Sequence, residues 1–259
     1  MNITSSNVLT FLAIKYKGDW DKIMDHLRNK LGVDDDELEA TIKNMKCKVI
    51  TYLDKEYPEQ LRQVPKPPFA LFYHGDISLI ANYSKLVAVV GAREPSEYGL
   101  KHLNNIVKDI SLDFVVVSGL AKGIDGAAHQ TCIDSGGKTI AVLGCGIDQY
   151  YPPCNKKLQD IIKKDHLLIS EYPEGVSSEP QNFLIRNRIV VGLSKGVLIV
   201  DCKKASGTLS SANLACTLNK DLMSIPYPIG TEFFNNNLIN EGANLVETGN
   251  DVREVLNTY

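Results

Sequence analysis

From residue 84 onward the chain alternates short, uninterrupted apolar runs with amphipathic stretches, and this alternation sharply limits what it can fold into. The runs lie at about 86–90, 114–117, 139–143, 167–170, 197–200 and 222–225. Apolar runs of this length without polar alternation suit strands that are buried on both faces. The stretches between them have helical periodicity. Residues 96–110 align Leu100, Leu103, Ile106, Val107 and Ile110, with Pro95-Ser96 as a start signal, and residues 154–164 turn Leu158, Ile161 and Ile162 inward. The pattern predicts an α/β fold whose mostly parallel sheet carries helices on both faces. Right-handed crossovers place the C-terminal ends of the strands along one rim, where such sheets bind their ligands.

The first 46 residues differ in character. Val8, Leu9, Leu12 and Ala13 recur at helical spacing, as do Ile23, Met24, Leu27 and Leu31. Gly18-Asp19 reads as a turn with Asp19 as N-cap, and the acidic run Asp34 to Glu37 as the start of a third helix, where carboxylates complement the macrodipole. We therefore expect a small helical N-terminal domain (1–46), a connector (47–83) and a core domain (84–259). In the connector, Tyr57-Pro58-Glu59-Gln60-Leu61 begins a turn of helix, and Phe69 to Tyr73 reads as a strand, placed at an edge by the prolines at 65, 67 and 68.

Several loops converge on the rim. Two carry glycine turns directly after a strand: Gly91-Ala92-Arg93, and Ser118-Gly119-Leu120-Ala121-Lys122-Gly123-Ile124-Asp125. Small residues let backbone N–H groups approach an anion, and helix N-termini favour negative charge. Ser206-Gly207-Thr208 opens a further helix with free N–H groups. The cations Arg93, Lys122, Lys156, Lys157, Arg186 and Arg188 supply counter-charge. On a helix Arg186 and Arg188 lie about 200° apart, so both cannot face one ligand; one of them is expected to be structural, for example paired with Glu171. These residues predict a phosphate site.

Composition limits the alternatives. Across 259 residues the formal net charge is −3, so any nucleic acid must be held by a local basic patch. Six cysteines form no CxxC pair and no zinc spacing, which predicts buried thiols in a reducing compartment and no metal or cofactor. No basic-then-apolar leader opens the chain and no apolar run matches a membrane span, so we expect a cytoplasmic, soluble protein without membrane contact. GxGxxG is absent after Val90, which removes a dinucleotide. His129, one helical turn after Asp125, is the candidate base, but no nucleophile elbow accompanies it, and packing is the expected role of both.

Taken together, these blocks resemble the DprA/Smf family of DNA-processing proteins over roughly residues 57 to 246. The resemblance is carried by Tyr57-Pro58, Pro67-Pro68 with Leu71 to Gly75, Val89 to Arg93, Ser118 to Asp125 with His129, and Thr139 to Gly146. It continues through Tyr151-Pro152, Ser170 to Pro173, Phe183 to Ile189, Ser206 to Leu209, and Leu238 to Ala243. It implies an extended Rossmann-like fold and a non-enzymatic protein that binds incoming single-stranded DNA in natural transformation, helps load the RecA recombinase, and forms homodimers. By motif, the implied DNA pocket includes Arg93 and a lysine at 156 or 157, with Gly91, Ser118, Gly119 and Lys122 in neighbouring turns; apart from the resemblance, we expect the flanking Tyr150, Tyr151 or Phe183 to stack a base. Three departures stand out: Asp201 where a glutamate is usual, Tyr227 where a Pro-Gly step is usual, and no winged-helix domain after the core. The rival readings are a nucleotide phosphoribohydrolase, weakened because no acid follows Gly207-Thr208, and a nucleotide-binding sensor using the same pocket.

Overall fold

The apolar runs pair as strands of a single sheet in a computed structural model that describes residues 3–257. Met1, Asn2 and the final Thr258 and Tyr259, at the two ends of the sequence-based divisions, lie outside the described residues. Three helices come first: α1 (Ser5–Lys15), α2 (Trp20–Arg28) and α3 (Asp35–Asn44). Each starts on a side-chain cap. Thr4 Oγ1 accepts from the Asn7 N–H, Asp19 from Lys22 and Asp34 from Glu37. Each cap satisfies one of the donors that a first helical turn leaves unpaired.

The strands and helices that follow are β1 (Lys48–Thr51), β2 (Ala70–Gly75), β3 (Leu86–Gly91), α4 (Glu97–Ile110) and β4 (Val115–Ser118). Next come α5 (Ile124–Asp134), β5 (Lys138–Leu143), α6 (Lys156–Asp165), β6 (Leu167–Ser170) and α7 (Pro180–Leu193). The chain continues with β7 (Gly196–Val200), α8 (Gly207–Thr217), β8 (Asp221–Ser224), α9 (Asn235–Asn240), β9 (Asn244–Leu245) and α10 (Gly249–Asn257). The sheet runs β1-β2-β6-β5-β4-β3-β7-β8-β9. Its members from β6 to β9 are parallel, and β1 and β2 join antiparallel.

Alternate residues of the central strands serve opposite faces, as a period of two demands. Val87 and Val89 pack with Leu103, Ile106 and Ile110 of α4 and with Ile124 and Ala128 of α5. Leu86, Ala88 and Val90 pack with Ile189 and Leu193 of α7 and with Ala212 and Ala215 of α8. A third cluster joins Phe11 and Leu12 of α1, Ile23 of α2 and Leu38 of α3 to Phe72 of β2 and Leu168 of β6. The three N-terminal helices thus cover part of the sheet. At this seam the Trp20 indole N–H donates to the Pro67 carbonyl at 2.9 Å, and its ring stacks on Phe69 with centroids 5.5 Å apart.

Three local expectations are corrected. The strand at 70–75 is not an edge: it lies between β1 and β6. The prolines all precede Ala70, its first paired residue, so they remove no ladder donor. Ile161 does not turn inward but is exposed, because α6 buries Leu158, Gln159 and Ile162, and a face centred there leaves position 161 outside it. Leu31 lies past the end of α2 and is also exposed.

One ion pair ties distant pieces of the chain together. Arg188 of α7 grips Glu171, just past β6, with both carboxylate oxygens engaged at 3.0 and 2.6 Å. Its Nε also donates to the carbonyls of Pro65 and Lys66, each at 3.1 Å. Both side chains are buried. The sheet, α7 and the connector therefore meet at a single guanidinium. His129 is likewise internal: its Nδ1 lies 2.6 Å from Thr139 Oγ1, which itself donates to the Val116 carbonyl. Nδ1 therefore carries the proton, and Nε2 is buried without a partner. Burial, with help from the nearby Arg186 charge, pulls the imidazole down to about 3. Asp125 does not orient this ring.

Two consequences can be measured by urea unfolding. Glu171→Ala leaves a buried guanidinium without its carboxylate and costs about 3–5 kcal/mol, whereas the apolar pair Glu171→Leu with Arg188→Met regains most of that loss. For His129 the folded value lies below the unfolded one, so its contribution is complete above pH ~6.5 and is lost as pH falls towards 3, at up to about 1.4 kcal/mol per pH unit. His129→Asn, which keeps a donor for Thr139, flattens the acid limb of the stability curve; an unchanged slope would contradict this.

Candidate functional site

The order of the sheet reverses between β3 and β7. Successive strands from β3 run one way and those from β7 run the other. The chain leaves these neighbours towards opposite faces, and a cleft of about 530 Å³ opens above their C-terminal ends. Its walls come from the Gly91–Glu94 turn, from Ala121 and Asp125, from Phe183, Leu184, Arg186 and Asn187 of α7, and from Asp201, Lys203 and the start of α8.

The first glycine turn and α8 present donors here. Gly91, Arg93, Ser206 and Gly207 all line the cleft, as their positions after strands predicted. Ser206 caps α8, accepting from the Leu209 N–H at 3.2 Å and donating to the Lys203 carbonyl at 2.6 Å. The N–H groups of Gly207 and Thr208 belong to the first helical turn and have no intrahelical acceptor. Arg93 is exposed; its guanidinium stands 5.7 Å from the centre of the Phe183 ring, and among the described residues it has no ion pair. Phe183 in turn packs against Tyr151 with centroids 4.8 Å apart.

The second glycine turn is used internally. Ser118 Oγ donates to the Val89 carbonyl at 2.6 Å. The Ala121 N–H points at the Asp125 carboxylate at 3.3 Å, so the anion nearest this turn is the chain's own. Burial raises the Asp125 carboxyl, against the opposing pull of Arg186 and the turn's N–H groups. A Cβ at Gly119 would collide with the Arg186 guanidinium. Gly123, at φ +87°, lets the turn lie against the carbonyls of Ala92 and Arg93.

Both helical arginines are buried. Arg186 reaches the cleft wall, but its Nη1 donates to the carbonyls of Gly119 and Val142, joining the ends of β4 and β5. Arg188 is the one paired with Glu171. Lys122, Lys156 and Lys157 are exposed and do not line the cleft. Asn155, next to Lys156, donates to the carbonyls of Leu120 and Ala121, which sets the start of α6 beside the turn carrying Lys122. Lys156 Nζ lies 4.9 Å from the centre of the Tyr150 ring. The three lysines thus form a basic shoulder beside the cleft. The loops after β5 and β6 bond to each other, through Gly146 N–H to Val176 O and Gly175 N–H to Asp148.

Lys203 and Leu184 are not singled out by the sequence, although both line the cleft with Thr208, which the Ser206-Gly207-Thr208 helix start indicates. Lys203, two residues past Asp201, pairs with Glu232 at 2.5 Å. Its position just beyond a strand end was the available signal. Leu184 sits beside Phe183 on α7 and is exposed.

The chain matches the family described as DNA recombination-mediator protein A over residues 48–257. It is 44% identical to the DNA processing protein DprA of Streptococcus pneumoniae over 202 residues, which cover 77% of this chain and 71% of that protein. With DprA of Bacillus subtilis it shares 34% identity over 220 residues, 84% of this chain and 74% of the relative. The X-ray structure of DprA from S. pneumoniae superposes with a TM-score of 0.81 at 35% identity, covering 98% of both chains. DprA from Helicobacter pylori, whose structure was described for its single-stranded DNA binding mode, gives 0.71 at 29% identity, covering 83% of this chain and 96% of that one. With its fold and much of its sequence shared with these relatives, the chain belongs to the DNA recombination-mediator protein A family, a family of mediators and not of enzymes.

Proposed function

We propose that this protein binds single-stranded DNA through the cleft between β3 and α8. The observation that carries the reading is the use made of the three arginines near the rim. Arg186 and Arg188 are consumed by internal acceptors, while Arg93 stands exposed beside unpaired helix N–H groups and an aromatic ring. A phosphate seated there is met by Arg93 and by the N–H groups of Gly207 and Thr208. The adjoining Phe183 offers a π-face to a base, which suits a strand whose bases are unpaired. Lys122, Lys156 and Lys157 carry the neighbouring phosphates along the basic shoulder. In this reading Gly91 shapes the turn that carries Arg93, and Ser118, Gly119 and Gly123 hold the adjacent turn in place without touching the ligand.

Recombination mediation by this chain consists of delivering the bound strand to the RecA recombinase inside the cell, and of acting as a homodimer so that two clefts engage one strand. Two linked sites raise avidity without any new contact. The helical N-terminal segment (1–46), connector (47–83) and core (84–259) act in this reading as one binding unit, and no cofactor takes part.

Fluorescence anisotropy with a labelled oligothymidine tests the proposal across a salt series. Affinity falls by about 0.7 log units per decade of salt for each phosphate contact. Arg93→Ala weakens binding and lowers that slope by about 0.7. Binding that is flat in salt, or an Arg93→Ala variant that binds like the parent, would overturn the assignment.

A further inference from the structure

The cleft holds a buried carboxylate that does not fit an anion site on charge alone. Asp201 follows β7, is fully buried, and lines the cleft. Its φ of +50° is left-handed backbone that a residue with a Cβ adopts at a cost. In that conformation its carboxylate crosses the end of β3 and meets the N-terminus of α4. Oδ2 accepts from the Ser96 N–H at 2.6 Å and Oδ1 from the Ser96 hydroxyl at 2.8 Å. The Tyr227 hydroxyl also donates to Oδ1. Ser96 Oγ in turn accepts from the Gly99 N–H at 2.9 Å, so every group in the network has a defined role. The absence of a side chain at Gly99 gives the carboxylate its space, since a Cβ there would strike its oxygens. Tyr227 is fixed by its rings' neighbours, Tyr98 at 4.8 Å and Phe233 at 4.5 Å between centroids.

Ser96 lies three residues after Arg93. The four-residue stretch from Ala92 to Pro95 is therefore held at both ends. At its start the Ile124 N–H donates to the Ala92 carbonyl at 3.1 Å, with Gly123 packed beneath. At its end Asp201 clamps Ser96. Between these two anchors Arg93 has a fixed backbone and a free guanidinium. The negative charge of Asp201 is met by three donors and by the positive end of a helix of 14 residues, so it does not repel a phosphate as a bare carboxylate would.

From this geometry we infer that Asp201 is a positioning residue for anion capture: acting through Ser96, it sets where Arg93 stands. Tyr227 is its partner in this role. The inference rests on the assignment of the cleft to single-stranded DNA, and it adds a residue that never touches the ligand.

A double-mutant cycle tests it. Oligothymidine affinity and its salt dependence are measured for the parent, Arg93→Ala, Asp201→Asn and the double variant, with a thermal melt of each. An asparagine that keeps its oxygen on the Ser96 N–H turns its NH2 towards the Ser96 and Tyr227 hydroxyls and accepts from neither. Asp201→Asn is expected to weaken binding about tenfold in the parent, with a reduced salt slope, and to cost nothing further once Arg93 is gone. Any loss of melting temperature is the same in both backgrounds. An equal affinity loss with and without Arg93, or no loss at all, overturns the positioning role. If Asp201→Asn does not fold, Tyr227→Phe takes its place in the cycle under the same criteria. Failure of the underlying reading is separate: in that case Arg93→Ala alone leaves affinity unchanged.

Discussion

The pairing of β3 with β7 is the constraint on which the rest of the molecule depends. The chain moves on from β3 and from β7 in opposite directions along the sheet, and right-handed crossovers then carry it to opposite faces. The gap left above them is lined by whatever follows each strand, here the Gly91–Glu94 turn and the Asp201–Ser206 loop. Registry matters as much as adjacency. Gly91 pairs with Val200, so the residue after each strand emerges at the same height, and Asp201 comes within reach of Ser96. A slip of the pairing by one residue would turn Asp201 to the opposite face and dismantle the clamp.

Charge is divided between holding the protein together and leaving one cation free. Arg186 bridges the carbonyls at the ends of two strands, and Arg188 gathers α7, the end of β6 and the connector. Asp125 occupies the donors of the second glycine turn, and Asp201 those of the α4 N-terminus. With these groups matched inside the fold, the cleft meets solvent with a free Arg93 and the start of α8, alongside the exposed Glu94 and Lys203 in its pair with Glu232.

Much of this was legible in the sequence, and the omissions have a common cause. The central strands announce themselves because burial on both faces demands uninterrupted apolar runs. β1 does not, since Lys48 to Thr51 sits at the sheet edge and is only half buried, and β9 has just two paired residues. At the site, Gly91, Arg93, Ser206 and Gly207 could be placed because each lies a fixed step beyond a strand. Gly119 and Gly123 lie in an equally suggestive turn, yet their space is filled by Arg186 and by the 92–93 backbone. A partner that is a backbone carbonyl leaves no residue-type signature, which is why Arg186 reads like a ligand-binding arginine in sequence and is a brace in structure. Asp201 and Tyr227 stood out only as two unrelated departures from the family pattern; the hydrogen bond between them makes them one feature.

The seam at Trp20 gives the protein a built-in optical probe. This is the sole tryptophan in the sequence, with its indole tied to Pro67 and stacked on Phe69 where the N-terminal helices meet the connector. The cleft is lined by other residues, so a base stacked there does not quench the indole by contact. A change in its emission on adding DNA therefore reports an event at this seam and not stacking in the cleft. The intrinsic fluorescence separates rearrangement of that seam from occupancy of the cleft without a label.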